Sequence, residues 1–205
     1  MAEHDKTITK KRVRRDRTEE ILEAATKLLA EYGFQGATLA RVAEEVGLTE
    51  PGVLHYFPSK VHLLQGVLEY HEQKEVESYA ALIDMERKNP VELLALTENL
   101  VAENEKMPGL IQLFTVLVSE SIRSDHPSHD YFVQRYRQAR EMYIAEFLKL
   151  SAFDLRPDID LNELVVLIMA VMDGLQIQWL LDPEKVDMLQ TFKLFSKIVA
   201  EYLAQ

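Results

Sequence analysis

Apolar residues recur at helical spacing along most of the chain. In residues 39–46, Leu39, Val42, Ala43 and Val46 stand at i, i+3, i+4 and i+7, one face of a helix. Thr38 precedes this run and predicts an N-cap, and Gly47 closes it where the backbone must turn left-handed. Thr49 predicts a second cap, Pro51 suits a first helical turn, and Val53, Leu54 and Phe57 supply a second apolar face. Two short helices joined through a glycine pack at a steep angle and need a small residue where they touch. Ala43 is expected there, with Val53 plugging the corner. The pattern predicts a helix-turn-helix with the start of its second helix turned toward DNA base edges, although an ordinary αα-hairpin shares the same spacing.

The remaining pattern is also helical, and the fold class it predicts is all-α, with about nine helices in total. A first helix is expected over residues 17–32, capped by Thr18 and buried through Ile21, Leu22, Ala25, Leu28, Leu29 and Tyr32. A long helix is expected from a Ser59 cap to about Met85, with one apolar zone at Leu63, Leu64, Val67 and Leu68 and another at Tyr79, Leu82 and Ile83. Pro90 and Pro108 mark further helix starts, over 91–104 and 109–123. Residues 125–128 read as a loop, 131–150 as a helix and 153–160 as a break. Residues 161–181 are apolar on nearly all sides and are expected to be buried, and 186–202 are amphipathic. The division expected is a flexible basic arm over 1–16, a helix-turn-helix domain over 17–62, and a larger helical domain for ligand binding and dimerisation over 63–205.

Net charge is −11, which by itself argues against nucleic acid, but its distribution reverses that. Residues 1–65 carry ten Lys/Arg and ten Asp/Glu, so the whole excess of acid lies beyond them. Lys6, Lys10, Lys11, Arg12, Arg14, Arg15 and Arg17 form a basic stretch that suits phosphate contact. It is not followed by the apolar segment of a secretion signal. No uninterrupted apolar run approaches the roughly 20 residues of a membrane span, since 165–172 stops at Asp173. The absence of cysteine removes disulfides, thiolate metal sites and cysteine nucleophiles, and agrees with a cytoplasmic location.

Several spaced elements together resemble the DNA-binding domain of tetracycline-repressor (TetR) family regulators. They are Thr38-Leu39-Ala40-Arg41-Val42-Ala43, Gly47-Leu48-Thr49, and Leu54-His55-Tyr56-Phe57-Pro58-Ser59-Lys60 with Leu63-Leu64 behind. Upstream, Ile21-Leu22-Glu23-Ala24-Ala25, Leu28-Leu29, Tyr32-Gly33-Phe34 and Ala37-Thr38 fit as well, so the likeness covers about residues 17–65. By position, the resemblance implies that Thr49, Glu50, Pro51 and Gly52 form the base-facing start of the recognition helix and that Lys60 contacts phosphate. The family's phosphate-contacting Tyr is here Leu54, which moves that role to His55 or Tyr56. With Arg17 and Thr38, these residues make up the expected DNA-binding set.

The resemblance also implies that the last two helices pair with their copies into a four-helix bundle, giving a homodimer. The expected interface is Val166, Ala170, Gly174, Ile177, Phe192, Phe195 and Val199, where Ala170 and Gly174 would let a helix approach closely. A twofold dimer presents two recognition helices to double-stranded DNA and predicts a near-palindromic operator. Asp173 and Gln176 interrupt an apolar helix. They are expected either to pair structurally or to line an effector pocket with Phe114, Leu117, Tyr136, Tyr143, Met169 and Trp179, a pocket for a largely apolar small molecule. His126, His129 and Asp130 lie close in sequence but read as an exposed loop rather than a metal site.

No Ser-His-Asp arrangement, phosphate-binding glycine loop or HExxH motif is present, so no catalytic residue, cofactor or metal is expected. The reading is a DNA-binding regulator, in repressor mode, released by an effector. An architectural DNA-binding protein without an effector, or a helical enzyme or carrier, are the other classes.

Overall fold

A computed structural model describes residues 2–83, 90–149 and 158–203, with side chains described for 17–74, 92–149 and 158–203. The described residues form helices and no strand: α1 (Ala2–Gly36), α2 (Leu39–Glu45), α3 (Glu50–Tyr56), α4 (Lys60–Ile83), α5 (Pro90–Glu105), α6 (Pro108–Glu120), α7 (His129–Lys149), α8 (Leu161–Leu181) and α9 (Met188–Leu203). Met85, the expected helix end at Leu150, and residues 153–157 of the expected break lie outside the described residues. The side chains of the basic stretch before Arg17, and those of Tyr79, Leu82 and Ile83, lie outside them too.

Residues 2–16 continue α1 instead of forming an irregular arm, and Thr18 is therefore interior to a helix rather than at its start. The cause is local: neither Gly nor Pro interrupts the chain between Ala2 and Gly33, and its Lys, Arg and Glu are good helix formers. The first break comes at Gly33, with φ 65° and ψ −177°, a conformation essentially reserved for glycine.

Two cores organise the chain. The first joins Ile21, Ala25 and Leu29 of α1, Val42, Ala43 and Val53 of the next two helices, and Leu64, Val67 and Leu68 of α4 to Leu113 and Leu117 of α6 and Phe132 of α7. The second gathers Leu93, Leu94, Phe147, Val165, Ile168, Met188 and Phe192 from α5, α7, α8 and α9. Helix α6, with Phe132 at the start of α7, is thus the part of the C-terminal region that is built into the N-terminal core.

Helix α8 is not enclosed as its composition suggested. Val166, Leu167, Ile177 and Leu181 are exposed, because α6, α7 and α9 cover only part of it. By length and composition alone it could cross a membrane (21 residues, mean hydropathy 1.9 in its most apolar window), although Asp173 interrupts its apolar run. Its polar break, Asp173, is tied to α7 by Tyr136.

Candidate DNA-binding face

Local chemistry fixes the helix-turn-helix. Thr38 Oγ1 accepts the N–H of Arg41 at 3.3 Å, and Thr49 Oγ1 accepts the N–H of Gly52 at 3.2 Å, so each helix has the cap its sequence predicts. Between them Gly47 takes φ 65°, and the Leu48 N–H closes the turn on the Ala43 carbonyl at 2.8 Å. Ala43 and Val53 are buried at the corner, 2% and 0% exposed. The same packing turns Thr49, Glu50, Pro51 and His55 to solvent, with Gly52 and Tyr56 partly covered. The His55 and Tyr56 rings meet edge to face at 5.6 Å, so the two candidates for the phosphate role stand together.

The flanking cations are held in place. Arg17 pairs with Glu20 and reaches the Val46 carbonyl at 3.5 Å, the negative end of α2. Lys60 donates from Nζ to the Gln35 carbonyl at 3.1 Å and lies 4.7 Å from the centre of the Phe34 ring. Burial holds the Lys60 ammonium below the usual lysine range, and the Glu120 carboxylate partly offsets this. Ser59 caps α4 through the His62 N–H at 3.3 Å. Sequence reasoning passed over Arg41. It is exposed on α2, stacked 4.3 Å from the Tyr32 ring and near the Gly36 carbonyl at 3.5 Å. Its place on the face of α2 opposite Val42 and Ala43 was the available signal.

In the C-terminal region the expected effector residues divide between the two cores. Phe114 and Leu117 pack with the N-terminal helices, whereas Tyr136, Tyr143, Met169 and Trp179 belong to the second core. Tyr136 donates to Asp173 Oδ2 at 2.7 Å, the structural pairing that a carboxylate in an apolar helix needs. Gln176 is partly covered on α8. An open cleft of about 330 Å³ lies between the end of α6 and α7, lined by Val118, Ile122, Phe132, Val133, Tyr136 and Arg140 among others. Of the eight expected pocket residues, Tyr136 reaches it.

The expected dimer residues divide as well. Val166, Ala170 and Ile177 are exposed and Gly174 is half-buried, whereas Phe192 and Val199 are 0% and 4% exposed within one chain and do not face a second copy. Helical period explains the correction: Phe192, Ser196, Val199 and Leu203 form the inward stripe of α9, with Phe195 partly buried beside it. The exposed apolar residues of α9 are Leu194, Ile198 and Tyr202.

In the loop after α6, Ser128 N–H donates to His126 Nδ1 at 3.3 Å and His129 Nδ1 bonds the Ser121 carbonyl at 2.8 Å. Both rings close the loop.

Comparison with known proteins matches this architecture in two segments. Residues 21–67 match the family described as bacterial regulatory proteins, tetR family, and residues 92–204 match the BetI-type transcriptional repressor C-terminal family. Curated relatives include the nucleoid occlusion factor SlmA of Photobacterium profundum, 28% identical over 130 residues, or 62% of this chain and 66% of that protein. SlmA of Vibrio cholerae is 29% identical over 101 residues, 49% of this chain and 52% of that one. The chain thus spans about half to two thirds of the length of the curated relatives it matches. Among solved structures, a TetR transcription regulator from Haloarcula marismortui ATCC 43049 superposes with a TM-score of 0.73 at 23% identity, covering 93% of this chain and 97% of that one. A protein from Saccharomonospora viridis, described as a transcriptional regulator in complex with choline, superposes with a TM-score of 0.73 at 20% identity, covering 89% and 96%. With the helix-turn-helix geometry and both segment matches in agreement, the chain belongs to the TetR family of DNA-binding bacterial transcriptional regulators, with a C-terminal region of the BetI repressor type.

Proposed function

We propose that the chain is a homodimeric repressor that binds a near-palindromic operator through α3 and is released by a small molecule in its C-terminal domain. The observation that supports this most is the capped, solvent-facing start of α3, with Arg17, Arg41 and Lys60 held on the neighbouring helices α1, α2 and α4. Thr49, Glu50, Gly52 and His55 read bases, with Pro51 setting the first turn of α3. Arg17, Thr38, Tyr56 and Lys60 hold phosphates, which sets register without choosing sequence. The exposed apolar stripe of Val166, Ala170, Ile177, Leu194, Ile198 and Tyr202 receives the second copy, in keeping with the dimeric DNA binding of the family. Such a protein works on chromosomal DNA in the cytoplasm.

The test begins with selection of duplexes from a random-sequence pool by the purified chain. The reading expects recovered sequences with two inverted half-sites and affinity that falls steeply with salt. Recovery without sequence preference contradicts it. Choline, the ligand of the Saccharomonospora viridis protein, is the first compound to try as a releasing agent.

A second reading, DNA binding without an effector, is favoured by the division of Phe114 and Leu117 from the other expected pocket residues and by relatives named for nucleoid occlusion. A compound that weakens binding to the selected duplex excludes it.

A further inference from the structure

The turn between α1 and α2 and the end of α6 meet at one side chain. Glu120, the last residue of α6, accepts the Phe34 N–H on Oε2 at 2.8 Å, a contact spanning 86 positions. Its carboxylate fills the space above Gly33, where a Cβ would stand 2.3 Å from Oε1. Phe34 is 7% exposed and has an aromatic or cationic partner on two sides. Lys60 Nζ stands 4.7 Å from its ring centre, and the His126 ring meets it edge-on at 5.2 Å and 78°. The same ammonium is bonded to the carbonyl of the next residue, Gln35. Lys60 is therefore seated on the turn, and the turn is pinned by Glu120.

A second donor stands close by. Because His126 Nδ1 accepts the Ser128 N–H, the neutral ring carries its proton on Nε2. That Nε2 is buried without a hydrogen-bond partner, 3.7 Å from Glu120 Oε2. The carboxylate stands between one donor that it holds and one that it does not.

We propose that Glu120 is a positioning residue for DNA binding: it pins the Phe34–Gln35 turn to α6 and so sets where Lys60 points. When α6 shifts, the carboxylate exchanges the Phe34 N–H for His126 Nε2–H, and Lys60 loses its seat. The inference rests on Lys60 acting at phosphate, as proposed above.

A double-mutant cycle on the full chain tests it, using a 30-base-pair duplex recovered by the wild-type chain from a random pool. Glu120→Ala is expected to weaken binding roughly tenfold, one hydrogen bond's worth at ~1.4 kcal/mol per decade. Added to Lys60→Ala it should cost less than about twofold more, because the two act in series. Glu120→Gln, whose amide oxygen can still accept the Phe34 N–H, should restore most of the affinity. Amide exchange over 33–37 should quicken in Glu120→Ala and not over α8. Losses that multiply, unchanged affinity in Glu120→Ala, or a Gln variant as weak as Ala overturn the proposal. If Glu120→Ala does not fold, Phe34→Leu takes its place in the cycle, since it keeps bulk but removes the ring that seats Lys60. If the wild type recovers no duplex, the DNA reading has failed, and the exchange of 33–37 still reports whether the pin exists.

Discussion

Tyr136 donates its phenolic hydrogen to Asp173 Oδ2 at 2.7 Å, joining α7 to the one acidic residue in the middle of α8. Burial pushes the Asp173 carboxyl above the usual carboxylate range, and the Tyr136 hydrogen bond pulls it back. Burial, followed by the carboxylate beside it, pushes the Tyr136 phenol above the ordinary tyrosine range.

Tyr136→Phe should therefore destabilise the fold by about 1–2 kcal/mol at neutral pH, the cost of a partly buried acceptor left without its donor. The sign follows from the raised carboxyl. Protonation relieves the site, so the penalty shrinks as pH falls toward the carboxylate range. Urea unfolding at pH 7 and pH 4 measures both, and an equal penalty at the two would contradict the assignment.

His71 is the second titrating group with a clear consequence. Burial, followed by Lys74, lowers its pKa to about 4, against an opposing pull from Glu23. Its Nε2 lies 2.9 Å from Thr26 Oγ1, and its ring faces Phe114 at 6.4 Å, so the ring lies where α1, α4 and α6 converge. The unfolded chain takes up the proton near pH 6.5 and the folded chain near 4, so stability is full above 6.5 and is lost between those values. Allowing for partial solvent screening, the loss is about 1–2 kcal/mol. His71→Phe should flatten that part of the stability profile; an unchanged slope would assign the loss to another group.

Two glycines share a φ, but Gly33 adds a ψ of −177° and a crowded Cβ position. Gly33 and Gly47 both have φ 65°, but a Cβ at Gly47 meets nothing within 4 Å while one at Gly33 meets Glu120. Gly47→Ala should cost about 1–2 kcal/mol from backbone strain alone. Gly33→Ala should cost more and also expose the Phe34 amide to hydrogen exchange. Equal costs would show that neither the ψ of Gly33 nor Glu120 penalises a side chain there.

The two sides of the last helices should respond differently. Ile177→Arg is placed on an exposed face and should leave the monomer folded while abolishing dimerisation. Phe192→Ala lies in the core and should cost about 3–5 kcal/mol of stability. Sedimentation and thermal unfolding of both variants check this pair, and a dimeric Ile177→Arg would move the interface elsewhere.

Lys60→Ala should weaken binding to all duplexes alike and reduce the salt slope by about 0.9, the value of one phosphate contact. A loss confined to some sequences would give Lys60 a base-reading role.

Much of this was legible in the residues because it is local chemistry. Thr38, Thr49 and Gly47 act within three or four positions of themselves, and the Ala43–Val53 corner follows from helical spacing. What stayed hidden depends on contacts distant in sequence. Nothing near Glu120 signals that its partner is Phe34. The split of Phe114 and Leu117 from Met169 and Trp179 depends on α6 crossing into the N-terminal core, which periodicity does not encode. The inward turn of Phe192 and Val199 was readable from the period of α9, whose buried stripe runs through Phe192, Ser196, Val199 and Leu203.

The central claim is that two copies act as one DNA reader. Sedimentation velocity on the chain mixed with a recovered duplex tests it most directly. The account predicts a dimer in the absence of DNA and two copies, or a multiple of two, on each duplex. A single copy that stays single both alone and on DNA would contradict it.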